Sequence, residues 1–418
     1  MGGIVMLNRS LRMFRPAGLI TLVVTLGSVV ATARSQEPMA AVPAGLNREV
    51  LAKLLTRAEH TNTDALVLMK DGKVLGEWYF GKPQGRIEAM SATKSVVNLA
   101  VGKLIDAGKI KSLDQPVYEF FPEWRQGRKR QITIRHLLNH TSGLQNERLT
   151  SVEIYPSPDF VQLALAAELS DNPGSKFAYN NKAVNLLAGV VKVASGKRMD
   201  EYIRDEIFTP LGITDFTWVL DASGNPHAMS GLRIRATDLA RIGQMLADGG
   251  LWKGKRIIRK EWIAESTKPG QARMTKCGLL WWLLQDFRAT VADDDVIAQW
   301  RKGGDSEDFI QKLLPLKDKI FTDRKTFFGT IEKTLAGMGG LETWYDNTWR
   351  KGLPDGKGLP APTVGFYADG YLGQYLVVLP KQHIVAVRQM RSPVGEVNTD
   401  KLDTFTDFPE LIRKLATP

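Results

Sequence analysis

Cysteine is almost absent from this chain of 418 residues, in which Cys277 is the only one. A single cysteine cannot form an internal disulfide, so the fold must depend on its apolar core. A hydrophobic content of 43% is sufficient for that core. Cys277 lies in the apolar stretch CGLLWWLL, which indicates a packing residue.

The sequence also lacks the motifs of several enzyme classes. It contains no Gly-x-Ser-x-Gly elbow and no His-Glu-x-x-His zinc helix, and His60, His136, His227 and His383 show no metal-ligand spacing among themselves. The acidic run Asp293-Asp294-Asp295 is more typical of a solvated loop than of a metal site. We therefore expect neither a metal ion nor another cofactor.

The sequence also lacks a strong cluster of basic residues. The formal net charge is +11, but the basic residues are spread along the chain, with one modest cluster at 252–260. Nucleic-acid binding requires basic residues arranged around a recognisable reading element, and none is present. We expect no nucleic-acid partner; the charge indicates a solvated surface or a weak attraction for anionic substrates.

Long apolar runs are scarce, and the one near the start of the chain has the features of a secretory signal. Arg9, Arg12 and Arg15 precede AGLITLVVTLGSVVATA, which ends in Ala31-Thr32-Ala33. A basic region, an apolar run and an A-x-A site form a signal peptide, and the run is short for a membrane span. We predict cleavage near Ala33, a periplasmic or secreted protein, and no stable membrane span after cleavage.

Strand patterns occur near both ends of the chain, with helical patterns between them. The segment around Asp71-Gly72 predicts a hairpin, and 363–390 predicts two or three further strands. Apolar helices are predicted to begin at Ser91 and to span 182–197. The pattern predicts an α+β fold, in which helices flank an antiparallel sheet of N- and C-terminal strands and form a mostly helical subdomain.

The chain is predicted to contain one folded domain. We assign the segments as a signal peptide (1–33), a linker (34–46) and a single folded domain (47–418), with sheet regions at about 60–90 and 360–392, a helical region at about 91–260 and a charged insertion at about 285–345. The insertion is either a surface addition or a cap over the entrance to the site.

A serine and a lysine three residues apart stand at the start of the first apolar helix. The i, i+3 spacing places Ser91 and Lys94 on one helix face, within reach of each other. A serine hydroxyl attacks a carbonyl carbon when a neighbouring group accepts its proton. Burial and the positive end of a helix both lower a lysine pKa, so Lys94 is a candidate base. The alternative is a serine cap followed by a first-turn lysine.

Tyr179-Asn180-Asn181 provides a second group of polar side chains. A tyrosine near a lysine cation can ionise partly and relay protons, and Asn181 can hydrogen-bond a substrate amide or carbonyl. The alternative is a turn that caps the helix beginning near Ala183. A second Tyr-x-Asn at 345–347 shows that the pattern alone has little specificity.

These motifs and their surroundings resemble the serine β-lactamase and penicillin-binding superfamily, in particular its class C branch. That branch includes β-lactamases, D,D-peptidases, family VIII carboxylesterases and 6-aminohexanoate-dimer hydrolases. The resemblance covers roughly 50–284 and 363–390, and its main stretches are MSATKSVVNLAVGKLIDAGKIKSLDQPVYEFFPEW, ITIRHLLNHTSGL, YIRDEIFTPLGITDFTW and SGLRIRATDLARIGQML.

The resemblance implies roles for individual residues. Ser91 is the acylated nucleophile and Lys94 the base. Tyr179 is the proton shuttle, used again to activate the deacylating water, and Asn181 contacts the substrate. His140, in the second of these stretches, is implied to be structural.

The family has a third motif on a strand lining the site, usually Lys-Thr-Gly or His-Thr-Gly, and Ala368-Asp369-Gly370 stands at that place. The resemblance implies that Asp369 and Gly370 bind substrate and that the backbone N–H groups of Ser91 and Tyr371 form the oxyanion hole. Ala368 lacks the cation that recognises a β-lactam or peptide carboxylate, and Asp369 is expected to repel anions. Esters and neutral amides are therefore favoured.

The sequence thus predicts an exported serine hydrolase that acts through an acyl-enzyme on small carboxylic esters or amides. One alternative is a β-lactamase or D-alanyl-D-alanine carboxypeptidase. An alternative of another class is a non-catalytic protein that binds penicillin or cell-wall peptide. Retention of Ser91, Lys94 and Tyr179 argues against this last alternative, because a binding scaffold does not need all three.

Overall fold

The structure is a computed structural model that describes residues 46–147, 149–272, 274–393 and 402–416. The predicted signal peptide (1–33) and the predicted linker up to residue 45 lie outside the described residues. Among the residues that are described, no helix is both long enough and apolar enough to cross a bilayer.

The strands in the described part of the chain are short to medium in length. They are β1 (Ala65–Lys70), β2 (Lys73–Trp78), β3 (Ile87–Glu88), β4 (Phe216–Trp218), β5 (Leu232–Ile234), β6 (Leu251–Trp252), β7 (Lys255–Arg256), β8 (Trp282–Gln285), β9 (Ala289–Thr290), β10 (Ile320–Phe321), β11 (Lys357–Gly358), β12 (Thr363–Gly370), β13 (Gln374–Leu379) and β14 (Ile384–Gln389).

The α-helices of the same described residues lie mainly between the first and last strands. They are α1 (Arg48–His60), α2 (Thr93–Asp106), α3 (Ile134–Leu138), α4 (Thr150–Glu153), α5 (Phe160–Ala166), α6 (Asn181–Ser195), α7 (Met199–Ile203), α8 (Thr209–Leu211), α9 (Ala236–Ala247), α10 (Lys260–Ser266), α11 (Asp294–Lys302), α12 (Glu307–Leu313), α13 (Arg324–Thr334), α14 (Leu341–Asn347) and α15 (Phe408–Leu415).

One six-stranded antiparallel sheet joins the two ends of the described chain, in the order β2-β1-β14-β13-β12-β8. The predicted hairpin is formed by β1 and β2, whose turn residues Asp71 and Gly72 have φ values of 50° and 76°. Positive φ at both central residues is the geometry that matches strand twist in a two-residue hairpin. The sheet and its flanking helices confirm the predicted α+β fold.

Helices cover both faces of this sheet. On one face α9 packs against β1, β13 and β14, and α2 packs against α6 within the main apolar core. On the other face α15 packs against β13, where the Phe408 ring stacks on Tyr375 with centroids 5.4 Å apart. Ten consecutive residues of α2, from Thr93 to Gly102, are buried, so this helix is held on nearly all sides.

The segment between β8 and β12 has an apolar core of its own. It contains α11 to α14 and a three-stranded sheet in the order β10-β9-β11. Trp300, Phe309 and Trp344 form the centre of this core, with ring centroids 5.6 to 6.3 Å apart. A groove separates this segment from β8 and α15.

A buried arginine ties β14 to the turn that follows β12. Arg388 is fully buried, and its guanidinium donates to the carbonyl oxygens of Leu372 and Gly373 at 2.8 and 2.6 Å. It also donates to Thr63 Oγ1 at 2.9 Å and to the Thr61 carbonyl at 2.7 Å. Leu372 has a φ of 66°, a conformation that non-glycine residues rarely adopt, so these bonds stabilise a strained turn.

We expect Arg388→Met to lower the free energy of unfolding by about 3–5 kcal/mol, because it leaves four buried oxygen acceptors without their donor. Urea unfolding at pH 7 followed by circular dichroism measures the change. The control is Arg301→Met, which breaks an exposed ion pair with Glu307 and is expected to leave the urea midpoint unchanged. Equal destabilisation of the two variants would contradict the role given to Arg388.

Candidate active site

Ser91 lies just before α2 rather than at its first residue. Met90–Ala92 forms a single 3-10 turn, and α2 begins at Thr93, two residues later than the sequence predicts. Met90 has a φ of 47°, in the left-handed region that is uncommon for residues other than glycine. Such backbone strain next to a half-buried hydroxyl is typical of functional sites, because the surrounding packing must hold it in place.

Lys94 lies in the first turn of α2, and its amine is close to the Ser91 hydroxyl. The distance from Lys94 Nζ to Ser91 Oγ is 2.8 Å, and the amine also donates to the Met229 carbonyl at 2.8 Å. Neither partner is a carboxylate, so these bonds do not require an ammonium ion. A neutral amine can donate to Met229 and accept the Ser91 proton with its lone pair.

Burial determines the protonation of this amine. The Lys94 side chain is enclosed by the core, and desolvation lowers its pKa from 10.5 to about 7. The negative charge of Asp369 opposes this shift but does not cancel it. A substantial fraction of Lys94 is therefore neutral near pH 7, which is the state that a general base requires.

Tyr179 completes the group, but in a different protonation state from the one the sequence predicts. Its hydroxyl hydrogen-bonds with Ser91, and Lys94 Nζ lies 5.0 Å from the centroid of its ring. Burial raises the pKa of Tyr179 to about 12, and the bond to Ser91 only partly offsets that effect. The resting phenol is therefore neutral and suited to donating a proton, whereas partial ionisation was expected.

The Tyr179 ring is held between two aromatic neighbours. The Trp282 ring stacks on it with centroids 6.4 Å apart, and the His140 ring lies 4.5 Å away. His140 Nδ1 accepts a hydrogen bond from the backbone N–H of Asn180 at 3.2 Å, and burial lowers the pKa of His140 to about 3. A neutral imidazole with this bond positions the loop that carries Tyr179.

The third motif reaches the site at the end of β12. A Cβ at Gly370 would lie 2.4 Å from the Ala89 carbonyl oxygen and 3.0 Å from the Ala92 nitrogen, so only glycine allows this approach. The strand therefore ends against the backbone that flanks Ser91. Tyr371, half exposed, begins the turn immediately after it.

Asn181 lies at the edge of this arrangement. It is the first residue of α6, whose cap is the neighbouring Asn180, which accepts from Ala183 N–H at 2.9 Å. The side-chain oxygen of Asn181 is buried and has no hydrogen-bond partner among the described residues. An unpaired buried acceptor carries a desolvation cost.

One cavity brings together four of the predicted residues and several others. Its lining residues are Ser91, Lys94, Ser95, His140, Tyr179, Cys277, Leu280, Trp281, Trp282 and Asp369. Asn181, Gly370 and Tyr371 are not in this set. No residue of the insertion at 285–345 lines the cavity either.

Sequence reasoning missed three contributions to the site. Cys277 and Trp282 were assigned only to an apolar stretch, and the Met229 carbonyl that accepts from Lys94 leaves no sequence signal, because it is a backbone group. The stretch CGLLWWLL carries a usable signal: its last three residues belong to β8, the edge strand that pairs with β12 beside the site.

Known proteins of related sequence include hydrolases. The chain is 30% identical to 6-aminohexanoate-dimer hydrolase from Paenarthrobacter ureafaciens over 242 residues, which are 53% of this chain and 61% of that protein. It is 33% identical to Esterase EstB from Burkholderia gladioli over 148 residues, 31% of this chain and 37% of the esterase. The matches thus span about three fifths or less of these relatives.

The fold has solved counterparts as well. A candidate 6-aminohexanoate-dimer hydrolase from Bacillus anthracis superposes with a TM-score of 0.58 over 87% of this chain and 82% of the other, at 18% identity. Identity that low shows the fold alone. The sequence itself matches the family described as Beta-lactamase over residues 48–406, which confirms the resemblance to the serine β-lactamase and penicillin-binding superfamily. The chain belongs to the Beta-lactamase family.

Proposed function

We propose that the protein is a serine hydrolase that forms an acyl-enzyme on small carboxylic esters or amides. The observation that carries the proposal is the buried Lys94 amine, 2.8 Å from Ser91 Oγ and bonded to no carboxylate. The hydrolase names of its relatives support the reaction class. The predicted signal peptide supports a periplasmic or secreted location for this activity.

Acylation begins when neutral Lys94 takes the Ser91 proton and Ser91 Oγ attacks the substrate carbonyl carbon. The N–H groups of Ser91 and Tyr371 hold the resulting oxyanion, a role supported by the approach of Gly370 to the backbone around Ser91. The neutral Tyr179 hydroxyl then donates its proton to the leaving group, and the Lys94 ammonium returns a proton to Tyr179.

Deacylation reverses these proton transfers. A water molecule attacks the acyl carbon, giving up one proton to the base, and Ser91 leaves with a proton to restore the free hydroxyl. The buried, unpaired Asn181 oxygen supports binding of an amide N–H of the substrate. No step requires a metal ion or an organic cofactor.

Two measurements on the wild-type protein test the proposal. Mixing with p-nitrophenyl butyrate should give turnover, with a burst of nitrophenolate when deacylation is slow. A fluorophosphonate should add once per chain, and mass spectrometry of peptides should place the adduct on Ser91. Absence of both turnover and adduct would overturn the proposal and favour the non-catalytic binding protein.

The pKa of Lys94 predicts the pH dependence of acylation. The reactive amine is the deprotonated form, so the rate should rise with pH and level off above about 7. Between pH 6 and pH 8 the neutral fraction increases about tenfold, and the rate of fluorophosphonate labelling should follow it. The reverse trend would show that Lys94 is not the base.

The pH dependence of fluorophosphonate labelling, measured on the Asp369→Asn variant, supplies a control. The negative charge of Asp369 raises the pKa of Lys94, so its removal should move the midpoint of the labelling profile to lower pH. A midpoint that moves upward would contradict the electrostatic coupling between these two residues.

A β-lactamase or D-alanyl-D-alanine carboxypeptidase activity is less well supported by this site. Substrates of both classes carry a carboxylate, and the side chain that lines the cavity from the third motif is the Asp369 carboxyl. Like charges in a partly desolvated cavity repel each other strongly. Nitrocefin and a D-Ala-D-Ala peptide are therefore expected to be poorer substrates than p-nitrophenyl butyrate.

A further inference from the structure

A buried asparagine lies behind the proposed base. Asn185 belongs to the second turn of α6, and only 1% of it is exposed. Its side-chain oxygen accepts a hydrogen bond from the backbone N–H of Met229 at 2.9 Å. The carbonyl oxygen of Met229 in turn accepts a hydrogen bond from Lys94 Nζ at 2.8 Å. These two bonds connect α6 to the Lys94 amine through the backbone of one residue.

The backbone of Met229 is held by side chains. This residue lies in the loop between β4 and β5. In the described structure, the bonds to its N–H and its carbonyl come from Asn185 and Lys94. Its own side chain packs in a small apolar cluster with Ile154 and Phe160. The direction of the Met229 carbonyl therefore depends on the bond to Asn185.

The side-chain amide of Asn185 uses its oxygen but not its nitrogen. Nδ2 is buried and has no hydrogen-bond partner among the residues that the structure describes. A buried donor without a partner carries a desolvation cost, which a leucine of similar volume would avoid. The neighbouring α6 residues Val184, Leu186 and Leu187 are apolar and buried. What an asparagine adds at this position is the acceptor for the Met229 N–H.

The Met229 carbonyl determines which way the neutral Lys94 amine faces. A neutral amine has two N–H donors and one lone pair. When one donor is bonded to Met229, the lone pair can point to the Ser91 hydroxyl, whose oxygen is 2.8 Å from Nζ. Without this acceptor, the amine is free to rotate and to donate an N–H to Ser91. An amine in that orientation cannot accept the hydroxyl proton.

We infer that Asn185 is a positioning residue for the proposed base, Lys94, and that it acts by fixing the direction of the Met229 carbonyl. That carbonyl aligns the lone pair of the amine with the Ser91 hydroxyl. The inference rests on the proposed acyl-enzyme function, because only proton transfer from Ser91 requires this alignment. Asn185 does not line the catalytic cavity, so its effect should be on the chemical step rather than on binding.

Fluorophosphonate labelling of Asn185→Leu, measured across pH and probe concentration, tests the inference. Leucine keeps the volume but removes the acceptor. We expect the saturating labelling rate above the pH midpoint to fall about tenfold or more, because the base is misaligned. The probe concentration that gives half of this rate should change little. The midpoint should move to lower pH, because a displaced carbonyl no longer stabilises the Lys94 ammonium.

The charges around the amine do not change in this variant. Titratable groups from other parts of the fold face Lys94 or line the same cavity. They are Asp369, His140, Tyr179 and Cys277. Because Asn185→Leu alters none of these groups and adds no charge, a shift of the labelling midpoint reports the Met229 carbonyl.

Two further variants separate positioning from a loss of stability. Leu187→Ala removes a buried side chain from the same helix, in the main core rather than in the Met229 cluster. It should lower the Tm and leave the labelling midpoint unchanged. Asn185→Asp keeps an acceptor oxygen and should retain most of the labelling rate. Its midpoint should stay or move to higher pH, because a carboxylate raises the pKa of a nearby lysine.

The outcomes separate the inference from the proposed function. Wild-type rate and midpoint in Asn185→Leu, or slower labelling without a shift of the midpoint in both Asn185→Leu and Leu187→Ala, would overturn the inference and leave the function intact. If Asn185→Leu does not fold, slow labelling or a lowered midpoint in Asn185→Asp would overturn it instead. Absence of labelling in the wild type would overturn the function and the inference with it. Slower labelling with a lowered midpoint in Asn185→Leu alone supports both.

Discussion

Replacing Ser91 with alanine should abolish covalent labelling by a fluorophosphonate and reduce ester turnover about 10⁴-fold or more. The substitution removes the oxygen to which the proposed acyl group would be bonded. Intact-protein mass spectrometry measures the adduct, and p-nitrophenyl butyrate hydrolysis measures turnover. The free energy of unfolding should change little, since the side chain is half buried and small.

The chain offers a matched control in Ser95, one helical turn further along α2. Its hydroxyl is buried, lines the same cavity and donates to the Leu280 carbonyl at 2.6 Å. Because this hydroxyl is bonded to a carbonyl oxygen rather than to a base, Ser95→Ala should retain full labelling. Its expected effect is a loss of about 1 kcal/mol in the free energy of unfolding. Labelling that persists in Ser91→Ala and disappears in Ser95→Ala would exchange the roles of the two serines.

Replacing Lys94 should slow acylation about 10³-fold, whichever residue is used. Methionine has a similar length but no basic atom, and arginine keeps a positive charge but cannot lose a proton at ordinary pH. Both variants lose the basic nitrogen, but only the methionine variant also loses the positive charge. Slow acylation in both variants therefore indicates that Lys94 acts as a base rather than as a fixed cation. Stopped-flow measurement of the nitrophenolate burst gives the acylation rate.

Small primary amines provide the control for Lys94. Adding methylamine to Lys94→Ala should restore part of the activity, with a rate that increases with the concentration of the neutral amine. Lys94→Met is also expected to be no less stable than the wild type at pH 6, because it removes an amine whose protonation is opposed by burial. A Lys94→Arg variant with wild-type acylation would show that charge, rather than proton transfer, is the contribution of this residue.

The proximity of Ser91 and Lys94 could be predicted from the sequence because its geometry is local. Three residues of spacing in a helix determine that Ser91 and Lys94 are neighbours, and the apolar residues that follow predict the burial that lowers the lysine pKa. The structure has both features, although Ser91 lies in a 3-10 turn rather than in the helix itself. The residue spacing and the apolar neighbours in the sequence therefore predict both the proximity and the burial that the structure has at Lys94.

The state of Tyr179 could not be predicted in the same way. Sequence reasoning considered only a nearby lysine cation, which favours ionisation. In the structure that lysine is largely desolvated, and Trp282 and His140 enclose the ring. These neighbours come from positions about 100 and 40 residues away, and their packing raises the pKa of the phenol. The sequence around Tyr179 does not show that distant segments of the chain bury its ring.

The fold shows the same division between local and distant information. The first hairpin and the strands of 363–390 have clear turn and alternation signals, and both are present in the structure. The three-stranded sheet between β8 and β12 was not predicted. Its strands are two residues long, too short for any periodicity to register, and they form because the core around Trp300 brings them together.

The strand order of the main sheet also determines when the protein can first act during its synthesis. β14 lies between β1 and β13 in the sheet, although more than 300 residues of chain separate β1 from β14. At roughly 5–20 residues per second, a ribosome needs on the order of half a minute to extend the chain from one to the other. A nascent chain that already contains the Ser91 helix has neither the strand that carries Gly370 nor the arginine that holds its turn. The arrangement around Ser91 can therefore be complete only after β14 has been synthesised.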